Sequence, residues 1–276
     1  MWTSGRAMLT MHPTLLIGPA DWDSERMPQT EFAARIARLW ELWPHARGAL
    51  VYGDPHDNEV LAWLTNMTPK LEPAIALIPR DGAPRLMVGG GPNMLPSAQP
   101  LTWVSDIVSL RPTEKTIAQW LGGIGGAAAC ICIGIDRMPT RLRRELNAAF
   151  GRQAPKDETP RLQSLMRQKS DRELTCIRDA TATLQAAVEG MRAAHASREG
   201  ITDVILAGEL AAIKHQAQDV RTMFSLDGGR TYRPFSVPVE KALDPLSIYV
   251  AVRRFGYWVD GYLTLAGGAA TLRSPA

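Results

Sequence analysis

The aromatic run GYWVDGYLTL, at residues 256–265, contains one acidic side chain, Asp260, whose carboxylate could bind a ligand or take part in catalysis. Alternate side chains of a β-strand share a face, so Trp258, Tyr262 and Thr264 should lie beside Asp260. A carboxylate among aromatic rings suits a small cationic or amide ligand. The other interpretation of this pattern is an acid without a role, either hydrogen-bonded within a sheet or facing water.

A second set of candidate residues comes from the preceding loop, SLDGGRTYRPF, at residues 225–235. Its adjacent glycines do not form a phosphate-binding loop, because no Lys-Ser/Thr pair follows them at the required spacing. Arg230 and Tyr232 could instead add a cation and an aromatic ring to the pocket around Asp260. We therefore predict Asp260 as the catalytic candidate, with five substrate-binding candidates: Arg230, Tyr232, Phe235, Trp258 and Tyr262.

Other residues that often carry catalysis or bind metals have simpler explanations here. Cys130 and Cys132 alternate with isoleucines in AAACICIGI, as small apolar residues of a buried strand do. With Cys176 they number three, which cannot form a fully paired disulfide framework. The histidines are expected in loops or late in helices, and we assign none of them to a site: His12, His45, His56, His195 and His215.

The composition argues against several classes of partner. The net charge is +3, and the lysines and arginines are spread along the chain, so nucleic-acid binding is not indicated. The apolar stretch near the N-terminus is short and interrupted by Pro and Gly, unlike a signal peptide, and no later segment is long enough to span a membrane. We expect a cytoplasmic protein.

The order of predicted elements indicates two domains. Strands and helices alternate through the first part, beginning with the amphipathic helix TEFAARIARLWELW and the strand GALVYG. The polar, proline-containing segment 151–168 marks a boundary. A long helix follows, with Leu174 and Ile177 at the start of its predicted core face, then a second helix and antiparallel strands. We predict an α/β domain at 1–160 and an α+β domain of two helices and an antiparallel sheet at 161–276.

Several of these segments resemble, in order, the motifs of the creatinase/aminopeptidase P family, which has the pita-bread fold. LMRQKSDRELTCIRDA is similar to the family's entry helix, L-R-x-x-K-S-x-x-E-[IL], and REGITDVILAGEL to its G-[VI]-T helix. SLDGGRTYRPFSVP resembles its substrate loop, S-G-x-x-[ST]-x-x-P-H, and LDPLSIYVAVRRFGYWVD resembles the strands that lead into G-Y-W-x-D. The resemblance implies a creatinase-like N-terminal domain followed by the first half of a pita-bread domain.

The resemblance also implies a hydrolase, typically a peptidase acting next to proline, whose two metal ions are held by two Asp, one His and two Glu. Such ions, about 4 Å apart, need anionic oxygen ligands. Asp260 matches the second aspartate, but the first is replaced by Tyr249 or, with a shift of two residues, by Ala251. Phe235 replaces the substrate-loop histidine that metal-free creatinase uses for proton transfer. The remaining His and both Glu belong to a later part of the family's domain, so we expect no metal cofactor.

Three functional interpretations follow from this resemblance. We favour a non-catalytic subunit, a pseudoenzyme that is a structural or regulatory partner in a hetero-oligomeric hydrolase. The alternative is a metal-independent enzyme acting on a C–N or related bond of a small amide or guanidino-type substrate, with a site that a partner chain completes. The third is a truncated reading frame without function.

The resemblance also predicts association with another chain. With only the first half of the pita-bread sheet, the strand at 257–265 would be an apolar edge with unpaired backbone groups. We therefore expect a homo- or hetero-oligomer with a related or complementary chain.

Overall fold

The computed structural model describes residues 21–69, 71–234, 239, 241–267 and 269–273. Its contacts divide the chain into two compact units, the first ending at Arg172 and the second continuing from Glu173. This division lies within a long helix, later in the chain than residue 160, and the domain boundary at that residue stays a prediction. None of the helices in the described ranges is long and apolar enough to cross a membrane.

The first unit alternates helices with strands, which confirms the predicted α/β class. Its helices are α1 (Gln29–Leu42), α2 (Glu59–Thr65), α3 (Leu95–Ala98), α4 (Thr113–Gly123), α5 (Thr140–Phe150) and α6 (Thr159–Met166). Its strands are β1 (Gly48–Gly53), β2 (Ala74–Pro79), β3 (Arg85–Val88), β4 (Asp106–Ser109) and β5 (Cys130–Ile133).

These five strands form sheet A, a mixed sheet with the order β4-β3-β2-β1-β5. The antiparallel hairpin of β2 and β3 turns at Asp81-Gly82, where Gly82 has a φ of 119° that favours glycine. Both faces of the sheet are apolar. Along β2, Ala76 and Ile78 belong to one core cluster, and Ile75 and Leu77 belong to another.

The second unit contains two helices and an antiparallel sheet, which confirms the predicted α+β class. The helices are α7 (Asp171–Ala196) and α8 (Ile201–Lys214). The strands of sheet B are β6 (Asp219–Ser225), β7 (Arg233–Pro234), β8 (Leu246–Arg254), β9 (Tyr257–Ala266) and β10 (Ala269–Arg273).

Helices α7 and α8 approach each other closely at two glycines. A Cβ atom on Gly190 would lie only 2.9 Å from the carbonyl oxygen of Ala207, and one on Gly208 would lie 3.0 Å from the carbonyl oxygen of Ala187. The backbones can be this close because neither glycine has a side chain. Both helices then pack in one apolar cluster with the inward residues of sheet B, among them Ile248, Val250 and Leu263.

The first turns of α7 bury a different face from the one predicted. Leu174 was expected in the core, but 38% of it is exposed, and the buried positions are Glu173 and Cys176. Glu173 is fully buried and accepts a hydrogen bond of 2.8 Å from the Tyr257 hydroxyl. Hydrophobic periodicity could not identify this face because its first buried residue is an acid.

The strand order β10-β9-β8-β6-β7 corrects the prediction that β9 is an edge. Strand β10 pairs antiparallel with β9 from Ala269 opposite Ala266 to Arg273 opposite Tyr262. The segment AGGAATLR has no hydrophobic alternation, so its pattern does not predict a strand there. The expectation of an oligomer therefore loses the support of an unpaired strand at 257–265.

Candidate functional site

The candidate site lies on the face of sheet B opposite the helix-covered core. We call this the polar face and define it by the alternate residues of β6, β8 and β9. Their pairing register arranges these side chains in four rows: Asp219, Arg253 and Trp258; Arg221, Ala251 and Asp260; Met223, Tyr249 and Tyr262; Ser225, Ser247 and Thr264. The register places Trp258, Asp260, Tyr262 and Thr264 on one face of the sheet.

The β8–β9 hairpin sets this register. Arg254 and Tyr257 form its last pair, which leaves a two-residue turn of Phe255 and Gly256 with φ values of 50° and 82°. Positive φ at both turn residues matches the twist of the flanking strands. The pairing that this turn fixes places Tyr249 on the strand next to that of Asp260, one row away from it.

Tyr249 and Asp260 are joined directly. The Tyr249 hydroxyl donates a hydrogen bond of 2.9 Å to Oδ2 of Asp260. Partial burial, followed by the hydrogen bond to Asp260 and the charge of that carboxylate, raises the pKa of Tyr249 to about 12. Near neutral pH the phenol therefore keeps its proton and acts as a donor to Asp260 rather than as a base.

Tyr262 links Tyr249 to the loop that follows β6. Its ring centroid lies 5.0 Å from that of Tyr249 and 5.1 Å from that of Tyr232, the second pair at an edge-to-face angle of 70°. Such pairs add about 1 kcal/mol beyond the area that they bury. Tyr262 is 37% exposed, so this aromatic cluster remains accessible.

The loop that carries Tyr232 is organised by Asp227. This carboxylate accepts hydrogen bonds from the hydroxyls of Ser225 and Thr231 and from the backbone N–H groups of Arg230 and Thr231. These hydrogen bonds hold the pKa of Asp227 well below its usual range. Arg230 is exposed, and Phe235 lies outside the described residues.

Arg221 lies in the same row of the register as Asp260, on the far side of β8. Its guanidinium carbon lies 4.5 Å from the Trp258 ring centroid, and its Nη2 lies 3.2 Å from Oδ2 of Asp219. Asp219 is 7% exposed, and burial raises the pKa of its carboxyl, against the opposing effect of Arg221. Neither of these contacts joins Arg221 to Asp260.

The residues present do not fit the pair of metal ions that the resemblance implies. Within the described part of the chain, no three or more His, Cys, Asp or Glu residues are placed to hold a metal ion. At the spacing of the first aspartate the chain has Tyr249, a neutral phenol already bonded to Asp260. His195 is engaged elsewhere, since its Nε2 lies 3.0 Å from the Leu243 carbonyl oxygen.

The structure brings together only part of the predicted set of site residues. Tyr232, Tyr262 and Asp260 lie around Tyr249, whereas Trp258 stacks with Arg221 in the neighbouring rows. Arg221 was not predicted as a site residue, and Tyr249 was predicted only as the replacement of a metal ligand. The two-residue turn at Phe255-Gly256 was the signal that could have paired Tyr249 with Asp260.

Comparison with solved structures finds the same fold in several peptidases. The chain is similar to the Xaa-Pro dipeptidase from Bacillus anthracis, with 18% identity and a TM-score of 0.62 over 85% of this chain and 65% of that chain. It is also similar to the X-Pro aminopeptidase from Thermotoga maritima MSB8, with 15% identity and a TM-score of 0.64 over 84% of this chain and 64% of that chain. The prolidase from Pyrococcus horikoshii OT3 has 16% identity and a TM-score of 0.63 over 87% of this chain and 65% of that chain. No family model and no curated protein matches the sequence.

The chain thus spans 64% or 65% of the length of these three structures. The α/β unit with a mixed sheet and the α+β unit with two helices on an antiparallel sheet occur in the same order as the resemblance implies. The chain therefore has the creatinase/aminopeptidase P fold, with an α/β unit followed by part of a pita-bread domain.

Proposed function

We propose that this chain is a non-catalytic subunit with the aminopeptidase P fold, a pseudoenzyme that is a structural or regulatory partner of a hydrolase. The observation that carries the proposal is the hydrogen bond of 2.9 Å between Tyr249 and Asp260. It joins the one retained candidate aspartate to a neutral phenol at the position where a second carboxylate would be needed.

The chemistry of metal ligands explains why this pair matters. Two divalent ions held side by side require anionic oxygens that bridge them, to offset the repulsion between the ions. A phenol whose pKa is about 12 is not an anion near neutral pH. Its hydrogen bond also occupies one of the two carboxylate oxygens of Asp260.

Exposed leucines on α8 support a role in association. Leu206 and Leu210 are 38% and 52% exposed and stand four residues apart, so they share one face of the helix. Apolar side chains exposed together are typical of contact surfaces between proteins. The partner would be a second copy, a related chain or a hydrolase of the same fold. The three cysteines, Cys130, Cys132 and Cys176, form no disulfide with one another, which supports a cytoplasmic location.

The catalytic half of the proposal is tested by metal content and hydrolysis. The purified full chain should bind less than one Mn²⁺, Co²⁺ or Zn²⁺ ion per molecule in equilibrium dialysis and should not hydrolyse Xaa-Pro dipeptides. Tyr249→Asp should tighten Mn²⁺ binding at least about tenfold by supplying the second carboxylate, and Tyr249→Phe, which supplies none, should not.

Two results would contradict this half of the proposal. One is two metal ions per chain with hydrolysis that Asp260→Asn abolishes. The other is turnover of a small amide or guanidino compound in the presence of a chelator, lost in Asp260→Asn. This second result would favour the metal-independent enzyme.

The association half is tested by light scattering. The wild-type chain alone, or mixed with a hydrolase of this fold, should form a complex that Leu206→Glu with Leu210→Glu disrupts. Leu71→Glu is the matched control, because Leu71 is 69% exposed and lies in the first unit. A wild-type chain that is monomeric alone and forms no complex with such a hydrolase would contradict the subunit role.

A further inference from the structure

A groove with a volume of about 390 Å³ lies in the first unit, between α1 and the β2–β3 hairpin. Along α1 it is lined by Ala33, Ile36, Ala37 and Trp40, which share one face of the helix by their spacing of three and four residues. Ala33 and Ala37 are exposed, so their small side chains leave room that a larger one would fill. The volume falls in the range of small-molecule pockets, about 300–1,000 Å³.

Two indole rings line this groove, those of Trp40 and Trp103. The Trp103 ring stacks on Phe32, with centroids 5.8 Å apart, and its Nε1 donates a hydrogen bond of 3.1 Å to the Leu64 carbonyl oxygen. Both contacts fix the ring in place. Fixed aromatic rings favour a flat aromatic ligand that can stack on them or meet their edges.

The groove also has a cation held in a defined position. The Arg80 Nε donates a hydrogen bond of 2.7 Å to the Ala46 carbonyl oxygen, and its Nη2 donates one of 2.7 Å to that of Trp43. Its guanidinium carbon lies 5.0 Å from the Trp40 ring centroid. Within the described part of the chain, Nη1 of Arg80 donates no hydrogen bond, so it can bind an acceptor from solution.

No acidic side chain offsets this charge inside the groove. Among the described residues, Arg80 is the only charged one that lines it. The next residue, Asp81, is paired with Arg47 at 3.6 Å and is not part of the lining. The groove therefore favours an anion.

We propose that this groove binds a small aromatic carboxylate, with its ring against Trp40 and Trp103 and its carboxylate at Nη1 of Arg80. A hydrogen bond from a guanidinium to a carboxylate is about 2.8 Å long and roughly twice as strong as one between neutral groups. A neutral aromatic compound would lack this bond, and a cationic one would be repelled by Arg80. The inference goes beyond the proposed function, because the groove lies in the first unit and Asp260 lies in the second.

The size of the groove favours a free small molecule over a protein partner. Thirteen residues line it. A stable protein interface takes about 20–30 residues from each partner. A ligand of one or two fused rings, by contrast, fills a pocket of this volume.

Isothermal titration calorimetry of the full chain with indole-3-acetate tests the proposal. Indole-3-acetamide is the neutral control, and tryptamine is the cationic one. We expect indole-3-acetate to bind with a dissociation constant of ~1 mM or below and at least about tenfold more tightly than either control.

Substitutions on α1 locate the site. Ala37→Phe fills the groove and should weaken indole-3-acetate binding at least about tenfold. Ala34→Phe is the matched control, because Ala34 is an exposed alanine of the same helix that does not line the groove. It should bind as the wild type does.

A substitution of the cation tests the selection for charge. Arg80→Gln should bind indole-3-acetate and indole-3-acetamide equally, because the guanidinium that distinguishes them is gone. Its unfolding midpoint should be measured, since Arg80 also bonds to the carbonyl groups of Trp43 and Ala46. If this variant does not fold, the comparison of Ala37→Phe with Ala34→Phe decides the proposal.

Four outcomes would overturn the proposal. The first is no detectable heat with indole-3-acetate at millimolar concentration. The second is equal binding of indole-3-acetate and indole-3-acetamide by the wild type. The third is unchanged affinity in Ala37→Phe. The fourth is a complex in light scattering that Ala37→Phe dissociates and Ala34→Phe does not, which would show that a protein occupies the groove. The first three leave the metal and hydrolysis tests of Asp260 unaffected.

Discussion

Sheet A and sheet B differ in how their two faces are used. Strand β2 of sheet A is apolar on both faces, and all but its last residue are buried. Strand β9 of sheet B alternates between buried and exposed residues over its second half. The candidate site lies on the face of a sheet that no apolar cluster of the described residues covers. Burial on both faces gives stability, and burial on one face leaves the other for binding.

The largest expected effect is in sheet A. Leu77→Ala removes a fully buried side chain from a central strand, and it should lower the free energy of unfolding by about 3 kcal/mol. Urea denaturation followed by circular dichroism measures this change. A loss below 1 kcal/mol would mean that the strand is less tightly packed than sheet A requires.

The next effect lies on the covered side of sheet B. Alanine is the better helix former, yet Gly190→Ala should destabilise the chain by about 1–2 kcal/mol, because its Cβ would lie 2.9 Å from the Ala207 carbonyl oxygen. Gly122→Ala is the matched control in α4, since nothing lies within 4 Å of its Cβ position. That substitution should leave stability unchanged or raise it. Equal effects of the two would show that α7 and α8 are farther apart than the structure has them.

A third measurement concerns the titration of the polar face. The pKa of Tyr249 is raised from its ordinary value of 10 to about 12, so the protonated phenol is favoured in the folded state. Its contribution to stability is complete below pH 10 and is lost as the pH rises from 10 to about 12.

Ultraviolet difference titration can resolve this group among the five tyrosines by comparing the wild type with Tyr249→Phe. Asp260→Asn should lower the Tyr249 pKa towards 10, because it removes the carboxylate charge and the charged acceptor. Part of the elevation should remain, since burial is its largest cause. An unchanged pKa in Asp260→Asn would mean that the two side chains do not interact in solution.

The smallest effect is expected at the rim of the polar face. Thr264 is exposed, and its hydroxyl lies 3.2 Å from that of Ser247. Thr264→Val should change the free energy of unfolding by less than about 0.5 kcal/mol, as is usual for exposed positions. A larger loss in urea denaturation would mean that this face is covered in solution and that the difference between the two sheets is smaller than we describe.

Hydrophobic pattern was sufficient to predict most of the architecture. The alternation in LSIYVAV and GYWVDGYLTL predicted the antiparallel pair of β8 and β9, and the Asp81-Gly82 turn predicted the hairpin of β2 and β3. These predictions held because each segment has the periodicity of its own structure. The hydrophobic pattern failed at β10, whose two alanines carry no amphipathic signal, and at the start of α7, where an acid is buried.

The contacts of the candidate site could be predicted from the sequence only in part. The position of Asp260 on its strand followed from alternation, but its bond to Tyr249 depends on the register of a hairpin, which the turn fixes. The stacking of Arg221 on Trp258 joins residues from β6 and β9, with another strand between them. Contacts of this kind depend on the order of strands, which no local pattern contains.

The pairing of β10 with β9 has a consequence for the motion of the site. With β8 on one side and β10 on the other, the strand of Asp260 is interior to the sheet. Amide hydrogens of an interior strand exchange with solvent only when the sheet opens, so deuterium uptake there should be slower than at β7, an edge strand of two residues. A ligand that binds at Asp260 would then contact a rigid strand, and any change of conformation on binding would occur in the loop that carries Tyr232.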